Sequence, residues 1–173
     1  TDGTDNNSGL AYTPTSLKNK LNDPNTNPPI NSFTIGLEGN GGVDKVVLQE
    51  LAANGAKELI SLHISSSMSG TSDAARSAAK DSPIPVHVID SRTVGMALGF
   101  GVIAAAQAAE EGLDSQTIVQ RAQLRMNATS IFFSVANLEN LRRSGRISRG
   151  ASILATALAI RPILTVDDGQ VVA

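Results

Sequence analysis

The sequence predicts an α/β fold: a mainly parallel sheet flanked by helices, followed by the start of a second α/β domain. Three observations carry this. From residue 43 onward, short aliphatic runs alternate with longer helical patterns, in the order β-α-β-α-α-β-α-α-β-β behind an opening helix. Turn residues such as Asp90-Ser91 and Asp167-Asp168-Gly169 bound the short runs. The composition allows a packed core, with 41% of the 173 residues hydrophobic and 17% charged.

Taken in order, residues 1–42 hold 8 of the 12 asparagines and four of the seven prolines, so this lead reads as loop without a convincing strand. Residues 43–54 place Val43, Val46, Val47 and Leu51 at helical spacing, closed by Asn54-Gly55. Residues 58–64 form a strand, 65–71 a polar loop in which Thr71 or Ser72 caps the next helix, and 72–80 an alanine-rich helix. A strand over 84–89 leads to a long apolar helix over 94–111, ended by Gly112. Asp114 or Ser115 caps a helix running to about Asn127. A strand over 131–135 precedes a short helix that Asn137 caps and Gly145 ends. A helix from 147 or 148 to 158 follows, then a strand over 160–166 and a hairpin into Gln170-Val171-Val172. The expected division is a first α/β domain over 1–130, its initial strand missing, and a partial second one over 131–173. The strandless lead and the hairpin that stops after three residues suggest an incomplete chain.

Composition removes several function classes. The formal net charge of −2 and the 3% aromatic content speak against nucleic-acid binding. With no cysteine and two histidines, a thiolate nucleophile and a cysteine metal site are excluded, and no metal site is expected. The polar, acidic start TDGTDNNSGLAY lacks a signal-peptide pattern, and the apolar stretch 94–109 is too short to span a membrane. The expectation is a cytoplasmic protein without an integral membrane segment. Charge is uneven: residues 1–120 hold 7 basic and 13 acidic side chains, and 121–173 hold 7 basic and 3 acidic. The basic portion suits an anionic ligand or partner, or simply a solvated helix face.

In parallel sheets of this type ligands sit beyond the carboxyl ends of the strands, which points to the loops 65–71, 90–93 and 136–140. The first of these, Ser65-Ser66-Ser67-Met68-Ser69-Gly70-Thr71, joins a strand to a helix. Free N–H groups at a helix start, with hydroxyls beside them, make a site for a carboxylate or phosphate. The same residues also suit an elaborate helix cap. The required lysine of a P-loop is absent. Ser69, His63 and Asp90 supply the residue types of a hydrolytic triad, without a nucleophile-elbow pattern. In the second notable segment, Leu138 and Leu141 pack inward while Arg142, Arg143 and Arg146 face solvent, a phosphate or a partner's acids. Gly95, Gly99, Gly101 and the alanines of the long helix leave room for an apolar slot or for tight helix packing.

Four segments in fixed order, ISLHISSSMSGTSDAARSAA, VHVIDSRTVGMALGFGVIAAAQAAEEG, FFSVANLENLRRSGRIS and LAIRPILTVDDGQV, resemble the DegV family of bacterial lipid-binding proteins. The resemblance is close from about Glu58 onward and loose over 1–57. It implies two α/β domains with a long-chain fatty acid held between them, and no chemistry by the carrier itself. The implied partner is a separate ATP-dependent fatty-acid kinase that phosphorylates the carboxylate, and no cofactor is implied. The family's Ser-Gly-Thr loop maps onto Ser69, Gly70 and Thr71 as head-group ligands. Its Thr-Ser-x-Pro motif falls on Asn31-Ser32-Phe33-Thr34, where Asn31 replaces threonine and Thr34 stands in place of proline, so Asn31 and Ser32 are second-rank ligands. The family's Gly-Gly-Arg-Ile falls on Ser144-Gly145-Arg146-Ile147, and the basic stretch Arg142, Arg143, Arg146 is a candidate partner or phosphate contact. Two alternatives remain open here: a Ser/His hydrolase or phosphotransferase acting at the same loop, and a module that binds a small phosphorylated ligand.

Overall fold

The structure is a computed structural model that describes residues 33–35, 49, 51–53, 55–147 and 162–173. Asn31, Ser32, most of the expected helix over 43–54, and nearly all of the expected helix beyond Ile147 lie outside the described residues.

Two sheets organise the described chain. The first has the order β1-β2-β3, with β1 at Phe33–Ile35, β2 at Leu59–His63 and β3 at Val86–Asp90. All its pairings are parallel, with Phe33 opposite Ile60 and His63 opposite Asp90. β1 corrects the expectation of a strandless lead. A three-residue strand among asparagines and prolines has no room to show a period of two. Its pairing with β2 holds it, rather than any propensity of its own.

All five residues of β2 are buried, because helices cover both faces. Successive side chains point to opposite sides. Ile60 and Leu62 pack with Leu98, Val102, Ala105 and Ala109 of α2 (Gly95–Glu110) and with Ile118, Ala122 and Met126 of α3 (Ser115–Asn127). Leu59 packs with Leu51, Ala56 and, from α1 (Thr71–Ala79), Ala75 and Ala78. Gln49 and residues 51–53 are helical, and Gly55 at φ +93° closes the turn. Its N–H reaches Ala52 O and the next N–H, of Ala56, reaches Leu51 O, a Schellman ending. At the start of α3 the Asp114 carboxylate accepts from the Thr117 N–H at 3.0 Å and from its hydroxyl at 2.7 Å.

Close packing against α3 occupies the space at Gly101 of α2. A Cβ at Gly101 would collide with the Met126 side chain and sit 3.3 Å from Ala122 O. A Cβ at Gly99 would meet Met96, and one at Gly95 would meet Ile131. At Gly101 the structure therefore favours helix packing over an apolar slot, whereas the nearest groups at Gly99 and Gly95 are Met96 of the same helix and Ile131. Small residues let two helices approach, and the approach then removes the space.

The second sheet is antiparallel, in the order β4-β5-β6: Phe132–Phe133, Leu164–Asp167 and Gln170–Val172. Leu164, Val171 and Ile147 form its core, flanked by Phe133, Val135, Leu138 and Leu141. Ile147 bridges Val171 in parallel, so it belongs to the sheet rather than to a following helix. α4 (Glu139–Arg143) lies between β4 and β5 in the chain, with the Asn137 side chain accepting from the Glu139 N–H at 2.7 Å. Asp168 and Gly169 carry φ of 49° and 82°, the paired positive values a two-residue hairpin demands.

Candidate functional site

The loops leaving β2 and β3 lie side by side at the carboxyl end of the first sheet, and backbone bonds fix them to each other. The Ser91 N–H donates to His63 O at 3.0 Å and the Ser65 N–H to Thr93 O at 2.9 Å. Ser65 then acts as the hub of the serine loop. Its carbonyl accepts from the Met68 and Ser69 N–H groups at 2.9 and 3.1 Å. Its hydroxyl accepts from the Ser67 N–H at 3.2 Å and donates to Gly169 O at 2.6 Å. The Asp90 carboxylate accepts from the Ser66 and Arg92 N–H groups at 3.1 and 2.9 Å. Burial pushes its carboxyl up, but hydrogen bonds from Ser66 and Arg92 and the charge of Arg76 outweigh that and hold it below its usual range.

The second sheet reaches this loop at three places. The Asp168–Gly169 turn sits on Ser65, and Arg92 pairs with Asp168. The Arg146 guanidinium Nε donates to Met68 O at 2.8 Å. The Met68 side chain itself packs against the second core. Nothing in the sequence signalled these contacts, since partners such as Ser65 and Gly169 lie 104 residues apart.

Ser69, Gly70 and Thr71 form the exit of the loop into α1. The helix opens with Gly70 at the cap position and no side chain caps it, which corrects the expectation that Thr71 or Ser72 does so. The Ser72 hydroxyl instead accepts from Arg76 at 3.4 Å. The first N–H groups of α1 thus lack a side-chain acceptor among the described residues. The half-buried Ser69 makes no side-chain hydrogen bond with the described residues. The Thr71 hydroxyl oxygen is buried and has no partner among the described residues. At Gly70 a Cβ would meet nothing within 4 Å, so open space faces the backbone there. Donors at a helix start, two hydroxyls without partners among the described residues, and open space are the kinds of group that a carboxylate or phosphate site uses.

His63 does not complete a hydrolytic triad. It is fully buried, with Nε2 2.7 Å from the Ser61 hydroxyl and Nδ1 without a partner among the described residues. Burial, and then the charge of Arg76, lower its pKa against the opposing pull of Asp90, so the ring is held neutral. Asp90 spends its hydrogen bonds on the loop backbone and Ser66, and Ser69 is bonded to neither residue. His87 lies in β3 and pairs with Glu58 at 3.0 Å. Among the described residues there is no cluster of three or more side chains suited to a metal, and no helix is long and apolar enough to cross a membrane.

The arginines divide. Arg142 and Arg143 both bond Glu139, at 2.8 and 3.0 Å. The Arg142 guanidinium, with help from Arg143, holds the Glu139 carboxyl at about 2. Arg146 alone of the three touches the serine loop in this structure.

Comparison with known proteins identifies relatives of the chain. A family model described as "Uncharacterised protein, DegV family" matches residues 42–173. A DegV domain-containing protein of Streptomyces coelicolor is 42% identical over 123 residues, which is 71% of this chain and 44% of that protein. A solved structure described as fatty acid binding of a DegV family protein from Thermus thermophilus is 31% identical, with a TM-score of 0.66, over 77% of this chain and 49% of that one. A DegV family protein from Eubacterium eligens loaded with heptadecanoic acid is 28% identical, with a TM-score of 0.61, over 77% of this chain and 50% of that one. The chain spans about half the length of these relatives. The parallel sheet, the loop at its carboxyl end and a match over most of the sequence establish that this chain belongs to the DegV family.

Proposed function

We propose that this chain binds a long-chain fatty acid with its carboxylate at Ser69, Gly70 and Thr71 and presents it to a separate ATP-dependent fatty-acid kinase. The observation that carries the reading is the uncapped start of α1, where the Thr71 hydroxyl is buried without a partner among the described residues. A buried unpaired hydroxyl costs about 1–3 kcal/mol, so a ligand that pairs it recovers that cost on binding. The related Thermus and Eubacterium structures, described as binding fatty acid, support the ligand class. Each buried methylene is worth roughly 0.8 kcal/mol, so a sixteen-carbon chain supplies on the order of 10 kcal/mol before ordering costs. The head-group loop therefore sets orientation, while the acyl chain sets affinity.

In this reading the chain performs no chemistry and acts in the cytoplasm. The domains divide at 130/131, Asn31 and Ser32 add head-group contacts, and Arg142, Arg143 and Arg146 face the kinase or the acyl phosphate. The partial neutralisation of Arg142 and Arg143 by Glu139 leaves Arg146 as the first of these to test. Native mass spectrometry of the purified protein tests the ligand: the expected result is a mass increment of one long-chain fatty acid. Recovery of no acyl chain, with no uptake of added palmitic acid, would overturn the proposal.

A further inference from the structure

The geometry points to the Asp168–Gly169 hairpin turn as a latch that closes the second sheet onto the serine loop and thereby governs ligand exchange at that loop. The ligand part of this inference rests on the proposed function; the latch itself rests on contacts. Ser65 is 1% exposed, and its hydroxyl donates to Gly169 O at 2.6 Å. The same hydroxyl accepts the Ser67 N–H, and the Ser65 carbonyl holds Met68 and Ser69. One residue thus joins the turn to the N–H groups of Ser67, Met68 and Ser69.

Glycine is required at the seat for two separate reasons. Its φ of +82° disfavours an ordinary side chain, and a Cβ would stand 2.8 Å from Ser65 Oγ. The next neighbours of that Cβ, Ser67 Oγ at 3.5 Å and Arg92 Cα at 3.7 Å, are ordinary contacts. The ion pair of Arg92 with Asp168 braces the turn from the other side. Both partners of that pair are more than half exposed, so it is weak and sensitive to salt. A tight seat beside a weak, solvent-facing brace describes a contact that opens locally without unfolding either sheet.

Gly169→Asn separates the two reasons, since asparagine tolerates positive φ while adding the Cβ. The measurement is backbone amide hydrogen exchange, read at Ser67, Met68 and Ser69 and, as a control, at β2. The expected result is exchange about three- to tenfold faster in the loop, the equilibrium weight of one net hydrogen bond, with β2 unchanged. Ser65→Ala gives a similar rise, and adding Gly169→Asn to it adds little, because the colliding hydroxyl is gone. Unchanged loop exchange in Gly169→Asn, or strictly additive effects in the pair, overturns the latch. If Gly169→Asn loosens β2 as well, Asp168→Asn replaces it: this removes the brace and keeps a residue suited to positive φ. A smaller rise confined to the loop is then expected, and no rise overturns the latch. Release of bound palmitic acid is timed on the same variants. Release that quickens with loop exchange supports the inference, and release that stays constant overturns the gating role. Failure of the unaltered protein to take up palmitic acid removes the ligand reading, while the exchange data still decide the latch.

Discussion

The serine loop and the arginine-rich helix α4 both gather polar side chains at the junction of the two sheets, yet they dispose of them in opposite ways. In α4 the charges are settled internally. Glu139 takes both Arg142 and Arg143, its own N–H goes to Asn137, and the helix presents an exposed face whose positive charge is partly offset. In the loop the backbone is satisfied through Ser65 and Asp90, while the Ser69 and Thr71 hydroxyls are left without partners among the described residues. The number of polar groups does not distinguish the two regions, since both have many. What marks the loop is a rigid frame around groups that remain unpaired, which is the state a binding site has before its ligand arrives.

The strongest way to break this contrast is to remove the unpaired hydroxyls. Thr71→Val keeps the shape and deletes a buried unpartnered group, so the ligand-free protein should gain about 1 kcal/mol or more in urea unfolding while palmitic acid binding weakens. Ser69→Ala should weaken binding by about 1.5–3 kcal/mol, the range for a hydrogen bond to a charged group, with little change in ligand-free stability. Loss of stability in Thr71→Val, or unchanged affinity in both variants, would make the loop an ordinary helix cap.

A medium effect concerns His63, which lies behind the loop. Its folded pKa is depressed by burial, so below about pH 6.5 the unfolded chain takes up a proton that the folded ring refuses. More protons on the unfolded state mean that stability falls as pH drops through this window, and the fall stops only below the folded pKa. Urea midpoints at pH 7.5 and 5.5 should differ in the parent protein and differ less in His63→Gln. An equal difference in both would place the titrating group elsewhere.

The smallest effect is expected on the other side of the comparison. Glu139→Gln frees Arg142 and Arg143 from an exposed, salt-screened carboxylate, so the thermal midpoint should barely move. A large loss would show that α4 is held by its charges rather than by Leu138 and Leu141.

Much of this was legible in the sequence, and the parts that were not share a physical cause. The run 59–63, the helix over 95–110 and the Asp168-Gly169 hairpin were readable because periodicity and turn chemistry are local. β1 was missed because pairing with β2 makes it a strand. At Gly101 the sequence shows an absent side chain but not the Met126 side chain that fills the space. The Ser-Gly-Thr segment stood out by residue type and by family resemblance. Its frame, however, depends on Asp90, Thr93 and Gly169, three contacts fixed only by the tertiary fold.

Met68 has one more consequence. Its carbonyl is bonded by Arg146, and its thioether chain lies against Leu164 and its neighbours, although it is part of a loop anchored in the first sheet. The loop is therefore held by both sheets. Exchanging the second half for that of another relative would also exchange the wall against which Met68 rests. A chimaera would keep every serine in place and still present them differently, unless the graft carried a matching apolar surface and an arginine at the position of Arg146.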